Sequence, residues 1–176
     1  MNDHSDKAVA EASSLGVLRS TNLRRRFDLE NHVYHTISVS RDRRPIFLDT
    51  ACARAVIEAI DLVRRDRKAL ILAYALMPDH LHLLVAPLPG VTLSDVMRAI
   101  KGPSARQINL LRGSLGSIWQ QSFHDRVIRD EAHLRATIAY IHENPIAEGL
   151  ASVPHEYEFS SAFRGARSDL EAYSGA

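Results

Sequence analysis

The sequence holds a single cysteine, Cys52. That excludes an intramolecular disulfide and any metal site built from clustered cysteines. No apolar run comes near the roughly 18 residues that a membrane span needs. The first thirty residues lack the apolar stretch of a secretory signal. Internal repeats and low-complexity tracts are absent too. So is an excess of charge: 22 Lys and Arg stand against 21 Asp and Glu, a net +1. A total so near zero argues weakly against a nucleic-acid partner. What remains is a 176-residue chain, the size of one domain with or without a tail. With 45% hydrophobic and 24% charged residues, it has the composition of a folded globular protein, not of a disordered one. A cytoplasmic chain with no membrane association is expected.

The balanced charge conceals a pattern. Residues 19–68 carry 12 basic and 7 acidic side chains, and residues 98–129 carry 6 and 1. Residues 130–176 reverse the sign, with 3 basic and 8 acidic. Two basic segments suit an anionic partner, although runs of charge also arise as plain solvated faces.

Residues 1–20 are polar without a period and read as a tail. The stretch 33–39, with Val33, Ile37 and Val39, alternates and is rich in β-branched residues, so it predicts a strand. Arg41, Arg43, Arg44 and Pro45 end it. Thr50 is placed to cap a helix over 51–67, with Val56, Ile57, Ile60 and Val63 on one face. The almost wholly apolar run from Ala69 to Met77 predicts a central strand. Pro78-Asp79 makes a tight turn, and His80 to Ala86 forms the returning strand. Thr92 and Asp95 have capping-box spacing ahead of Leu93, Val96, Met97 and Ile100. Gly102-Pro103 predicts an interruption, before a second helical stretch with Ala105, Ile108 and Leu111 that stops at Gly113. Trp119 to Ile128 reads as a strand. Asp130 caps a last helix with Leu134, Ile138 and Ile141 inward, which Pro145 ends or kinks. The order β-α-β-β-α-β-α implies an α+β fold close to ferredoxin-like, its antiparallel sheet covered by helices mainly on one face.

Three constellations could carry chemistry. In His80-Leu81-His82-Leu83-Leu84-Val85 the alternation of a strand sends Leu81, Leu83 and Val85 one way and both histidines the other. Two imidazoles side by side suit a divalent metal, or are simply hydrogen-bonded surface histidines. In Tyr140-Ile141-His142-Glu143-Asn144-Pro145, Tyr140 and Asn144 share a helical face with His133 and Thr137, away from the apolar stripe. Tyr140 is not needed for the core there, and a solvated hydroxyl is the alternative. The segment from Trp119 to Arg129 mixes Trp119 and Phe123 with Arg126 and Arg129. Aromatics and cations in that mixture suit single-stranded nucleic acid. A strand with its rings in the core would carry the same residues.

Together and in this order, these motifs resemble the REP-associated tyrosine transposases, a branch of the single-tyrosine HUH nucleases. The matching residues are Arg25-Arg26-Phe27-Asp28, Tyr34-His35, Met77-Pro78-Asp79-His80-Leu81-His82-Leu83-Leu84, Trp119-Gln120, Asp125-Arg126-Val127-Ile128-Arg129, Tyr140 to Pro145, Gly149-Leu150 and Ser160-Ser161-Ala162. The resemblance spans about residues 22–163 and implies an HUH domain over 21–165 between a tail at 1–20 and a C-terminal tail at 166–176. It implies that His80 and His82 bind Mg or Mn and that Tyr140 is the nucleophile. Asn144 matches the place where insertion-sequence relatives carry a glutamine as third ligand, and it is one methylene shorter. Asp79 stands where the family more often has asparagine.

The implied reaction is cleavage and rejoining of single-stranded DNA beside a hairpin, through a 5′-phosphotyrosine. A phenol is largely protonated at neutral pH, so nearby positive charge must help it ionise. The covalent link conserves phosphodiester energy, in keeping with the absence of a P-loop motif. Arg24, Arg25, Arg26, Arg43, Arg44, Lys101, Arg106, Arg126 and Arg129 are candidates for phosphate contacts, and Trp119 for base stacking. The branch is expected to act as a monomer. The alternatives are a hairpin-binding relative that does not cut, and a phosphohydrolase that uses water in place of Tyr140.

Overall fold

The computed structural model describes residues 32–174. The tail predicted at 1–20, and Arg24, Arg25 and Arg26, lie outside the described residues. Four strands form one antiparallel sheet: β1 (Tyr34–Val39), β2 (Ala69–Leu76), β3 (His80–Pro87) and β4 (His124–Val127). Their spatial order is β2-β3-β1-β4. Both long crossovers are helical, α1 (Thr50–Arg65) after β1 and α2 (Leu93–Arg112) after β3. That is the ferredoxin-like arrangement expected from the element order. Two more helices follow, α3 (Glu131–Ala147) and the short α4 (Leu170–Ser174).

The alternation of β3 divides the core in two. Leu81, Leu83 and Val85 join Tyr34, Ile71 and the inward faces of α1 and α2 in one apolar cluster. Leu84 and Ala86 face the other way and meet Val33, Ala73, Ala75 and Ile141 of α3 in a second. The two crossover helices thus share one face, as expected, and α3 lies across the other. A bulge at Leu72 keeps this in register, because Ile71 pairs with Val85 while Ala73 pairs with Leu84. Leu72 and Ala73 therefore both enter the α3 cluster.

Several element ends differ from the sequence expectation. The cap of α1 is Asp49, whose Oδ1 accepts from the Ala51 and Cys52 N–H groups, and Thr50 is the first helical residue. Gly102-Pro103 does not interrupt α2, which runs as one 20-residue helix. Ile100 and Ile108, fully buried on either side of the proline, pack both halves into the same cluster. The Ser104 hydroxyl donates to the Ile100 carbonyl at 2.7 Å beside the site of the missing N–H. Gly113, at φ 56°, closes α2 in the left-handed region where a glycine is favoured. Pro145 falls in the last turns of α3 and stays inside the helix, its ring buried. There it forfeits one backbone bond at most, so the helix continues to Ala147.

The expected strand from Trp119 to Ile128 is shorter. Trp119 makes only an isolated bridge to Ser40, and regular pairing with β1 starts at His124. The loop between them is held by Lys101, whose ammonium donates to the carbonyls of Gln120, Gln121 and Ser122.

The outer edge of β2 is covered by residues 157–169. The Leu76 N–H donates to the Phe159 carbonyl, Ser161 N–H to the Tyr74 carbonyl, and Asp169 N–H to the Ile71 carbonyl. Ser168 Oγ–H donates to Leu72 O, and the Ile71 N–H donates to the Asp169 carboxylate. Such a strap removes an exposed sheet edge. Part of the stretch expected as a C-terminal tail is thereby tied down, and α4 packs on the α3 side through Leu170 and Tyr173.

Ile141 is fully buried between α3 and the sheet. Ile141→Ala is expected to lower stability by about 2–5 kcal/mol in urea unfolding. A loss below about 1 kcal/mol would contradict this account of how α3 is docked.

Candidate active site

The β2–β3 turn is pinned by backbone bonds. Met77 N–H donates to the His80 carbonyl at 2.7 Å, Phe47 N–H to the Pro78 carbonyl at 3.0 Å, and Ser40 N–H to the Asp79 carbonyl at 2.7 Å. The turn delivers His80 to the start of β3 with its side chain on the α3 face, and His82 follows two residues on. Their Nε2 atoms lie 3.1 Å apart. A third imidazole stands beside them. His35 on β1 pairs with Leu84, and Ile37 pairs with His82, so His35 shares their face. The His35 and His82 rings lie nearly parallel, 5.4 Å between centroids, with His35 Nε2 3.2 Å from His82 Nδ1.

The α3 helix brings Tyr140 over this cluster. Its ring is edge-on to His82 at 5.5 Å and to His35 at 6.0 Å. His82 is 2% exposed, whereas Tyr140 is 51% exposed. The tyrosine is thus seated roughly perpendicular to both imidazoles and half open to solvent. The side-chain amide of Asn144, one turn along, donates to the Tyr140 carbonyl at 2.6 Å. The sequence therefore brings His80, His82 and Tyr140 together, while Asn144 is turned to its own helix.

Asp79 reaches two partners. One carboxylate oxygen lies 2.5 Å from His80 Nδ1, and the other accepts from Arg43 at 3.2 Å. On the opposite flank, Arg126 of β4 pairs with His35 across the ladder and so lies on the same face. Burial is the main force on the two inner imidazoles. It pushes His35 down to about 4, with Arg126 and His133 adding to the effect. It pushes His82 down to about 3, helped by His80 and His35.

The remaining candidates divide. Arg43 sits at the turn and Arg126 on the histidine face, and exposed Arg129 leads into α3 through its N–H to His133 Nδ1. Arg44, also exposed, donates from Nε to the Arg41 carbonyl. Arg106 is exposed on α2, in the layer behind the sheet. Lys101 is engaged by three loop carbonyls and faces the Phe123 ring. Trp119 is 3% exposed; its ring packs on Phe47 at 4.8 Å and its indole N–H donates to Ser104 at 3.1 Å. Of the two readings of that ring, the core is the one observed, because the indole finds there both an apolar wall and an acceptor.

Sequence reasoning did not single out His35 as part of the site, or the contact of His142 Nε2 with Ser161 Oγ at 2.8 Å that ties α3 to the edge strap. The parity of His35 on β1 was the available signal for the first. Nothing local marks the second, whose partners are 19 residues apart.

Two predictions follow from burial. An imidazole in an unfolded chain titrates near ~6.5, so below that pH the unfolded chain binds protons that folded His35 and His82 refuse. Stability is then lost as pH falls from about 6.5 toward about 4. In a metal-chelating buffer the Tm is expected to drop across that window, and His35→Gln to flatten part of the slope; a flat or rising Tm would contradict it. Trp119→Ala is expected to lower stability by about 3–5 kcal/mol in denaturant unfolding. A fully stable variant would show that the indole is not a core element.

Residues 28–144 match the family described as "Transposase IS200 like". A REP-associated tyrosine transposase of Escherichia coli strain K12 is 31% identical over 125 residues, 70% of this chain and 72% of that protein. A Haemophilus influenzae protein, provisionally named as the same kind of transposase, is 28% identical over 109 residues. That match takes in 56% of this chain and 61% of the relative's length. Among solved structures, a REP-associated tyrosine transposase bound to a REP hairpin superposes with a TM-score of 0.65 at 28% identity, over 80% of this chain and 82% of the other. With the family match covering well over half of the sequence and the fold shared with that structure, the chain belongs to the IS200-like transposases, on the branch of the REP-associated tyrosine transposases.

Proposed function

We propose that the chain cleaves and rejoins single-stranded DNA beside a hairpin of the REP-palindrome kind, through a transient bond between Tyr140 and a 5′-phosphate. The observation that carries this reading is the Tyr140 ring, open to solvent yet seated edge-on to His82 at 5.5 Å. A phenol in that position can reach a phosphate laid across the histidines.

Two imidazole nitrogens suit a divalent cation, and the resemblance to the tyrosine transposases makes Mg or Mn the expected one. Cis ligands at Mg bond lengths stand about 3 Å apart, and the Nε2 atoms of His80 and His82 lie at 3.1 Å. Asn144 is the candidate third ligand, once its amide leaves the Tyr140 carbonyl. When bound there, such a cation supplies Lewis-acid stabilisation of the charge that develops on a nonbridging phosphate oxygen. The chain's own nucleophile is Tyr140. Its phenolate oxygen bonds to phosphorus as the bond to the 3′ oxygen breaks. The phenol proton is given up to solvent and the departing 3′ oxygen takes one up, so one DNA end gains a 3′-hydroxyl and the other becomes a 5′-phosphotyrosine. Attack by a 3′-hydroxyl reverses the step, without ATP, because the phosphodiester energy is retained in the link. Arg43 and Arg126 flank the site and are placed to hold phosphates. Tyr140 meets the histidines of its own chain, which supports action as a monomer, and a DNA substrate fits a cytoplasmic location.

One observation favours the reading in which the chain binds hairpins without cutting them. The Asn144 amide donates to the Tyr140 carbonyl and is turned away from the histidines.

A single gel assay decides between the two. Labelled hairpin oligonucleotides with a single-stranded flank are incubated with Mg or Mn and resolved under denaturing conditions. Wild type is expected to give a covalent adduct, Tyr140→Phe none, and His80→Ala at least about 100-fold less. An adduct that persists in Tyr140→Phe overturns the assignment of the nucleophile. Tight hairpin binding without any adduct supports the non-cleaving reading.

A further inference from the structure

Both imidazoles of the proposed cation site are gripped at the ring nitrogen that points away from it. His80 Nδ1 lies 2.5 Å from the Asp79 carboxylate, and His82 Nδ1 lies 3.2 Å from His35 Nε2. The two Nε2 atoms face one another at 3.1 Å. We propose that Asp79 and His35 are positioning residues, each fixing the tautomer and direction of one of the two histidines so that both present Nε2 to a divalent cation. The inference rests on reading His80 and His82 as the cation site.

An ionised carboxylate only accepts hydrogen bonds. A neutral His80 therefore carries its proton on Nδ1 and its lone pair on Nε2. In the metal-free chain that lone pair accepts from His82, which places the His82 proton on Nε2. His82 Nδ1 then accepts from His35 Nε2–H. One carboxylate thus orders three rings.

Loading a cation needs only His82 and His35 to change. His82 gives up the proton on Nε2 and takes one on Nδ1, which it donates to His35 Nε2. His35 in turn exchanges its Nε2 proton for one on Nδ1. The proton count of the three rings is unchanged. His80 does not rearrange, because Asp79 has already set it. In this state each cation-facing imidazole has an outer partner of its own, a carboxylate for one and a third imidazole for the other, which is how ligating histidines are ordinarily oriented.

A turn-capping role for Asp79 explains less. The turn is closed by backbone, through Met77 N–H to the His80 carbonyl and Ser40 N–H to the Asp79 carbonyl. The carboxylate is directed at His80 and Arg43. An asparagine at this place would keep an acceptor for His80 Nδ1–H and lose the charge.

The test uses the full chain stripped of metal. Mn2+ is titrated by calorimetry, and the histidine ring tautomers are read from long-range 15N–1H spectra before and after addition of Mg2+. Wild type is expected to show His80 as the Nδ1–H tautomer throughout and His82 moving from Nε2–H to Nδ1–H with Mg2+. Asp79→Ala and His35→Ala are expected to weaken Mn2+ binding by roughly 10- to 100-fold. Asp79→Asn and His35→Gln, which keep an acceptor, are expected to recover most of that loss. A shift of less than about threefold in both alanine variants, or His80 found as Nε2–H in wild type, overturns the proposal. His80→Ala separates the two failures. If it abolishes Mn2+ binding while Asp79→Ala and His35→Ala leave it unchanged, only the positioning roles fall; if it too changes nothing, the cation-site reading falls with them.

Discussion

The docking of α3 on the sheet is the contact from which the site derives. Ile141 enters the apolar patch of Val33, Ala73, Ala75 and Leu84. That places its neighbour Tyr140 over the His35 and His82 rings. The patch exists because β3 alternates, so that Leu84 and Ala86 share a face with His80 and His82 while Leu81, Leu83 and Val85 fill the opposite core. A one-residue slip of β3 would exchange the faces and bury the histidines under α1 and α2. Two features resist such a slip: the backbone bonds around the Pro78-Asp79 turn and the paired strands on either side.

Much of this was legible in the sequence, because it depends on local periodicity. The parity of His80 and His82, the capping box at Thr92, the cap at Asp130 and the ferredoxin-like order follow from spacing alone. What could not be read depends on contacts between distant segments. Pro103 and Pro145 are local helix breakers, yet both sit inside helices because the residues around them are packed. Trp119 has the composition of a base-stacking residue, and only the positions of Phe47 and Ser104 show it to be core. Asn144 lies on the face of Tyr140 as its spacing requires, but its rotamer commits it to the helix backbone.

Charge behaves in the same way. The basic and acidic segments look like separate surfaces when counted along the chain. In the fold, some of that charge is joined. Arg64 of α1 donates to Asp169 of the edge strap at 3.0 Å, and Arg54 to Glu158 at 3.1 Å. The Arg64 side chain is mostly buried, so its pair anchors the strap, whereas the exposed Arg54 pair adds little. The acidic C-terminal third thus serves partly to fasten residues 157–169 along β2. Arg43 and Arg126 stand beside the histidines, one at each flank. For a polyanion, that local placement matters more than the net +1.

The central claim is that a side chain of α3 and two of β3 act on one phosphate. Its most direct measurement is peptide mass spectrometry of the chain after reaction with a hairpin oligonucleotide. The account predicts a nucleotide 5′-phosphate carried on Tyr140. A covalent nucleotide found on any other residue would contradict it, as would efficient strand cleavage with Tyr140 left unmodified throughout the reaction.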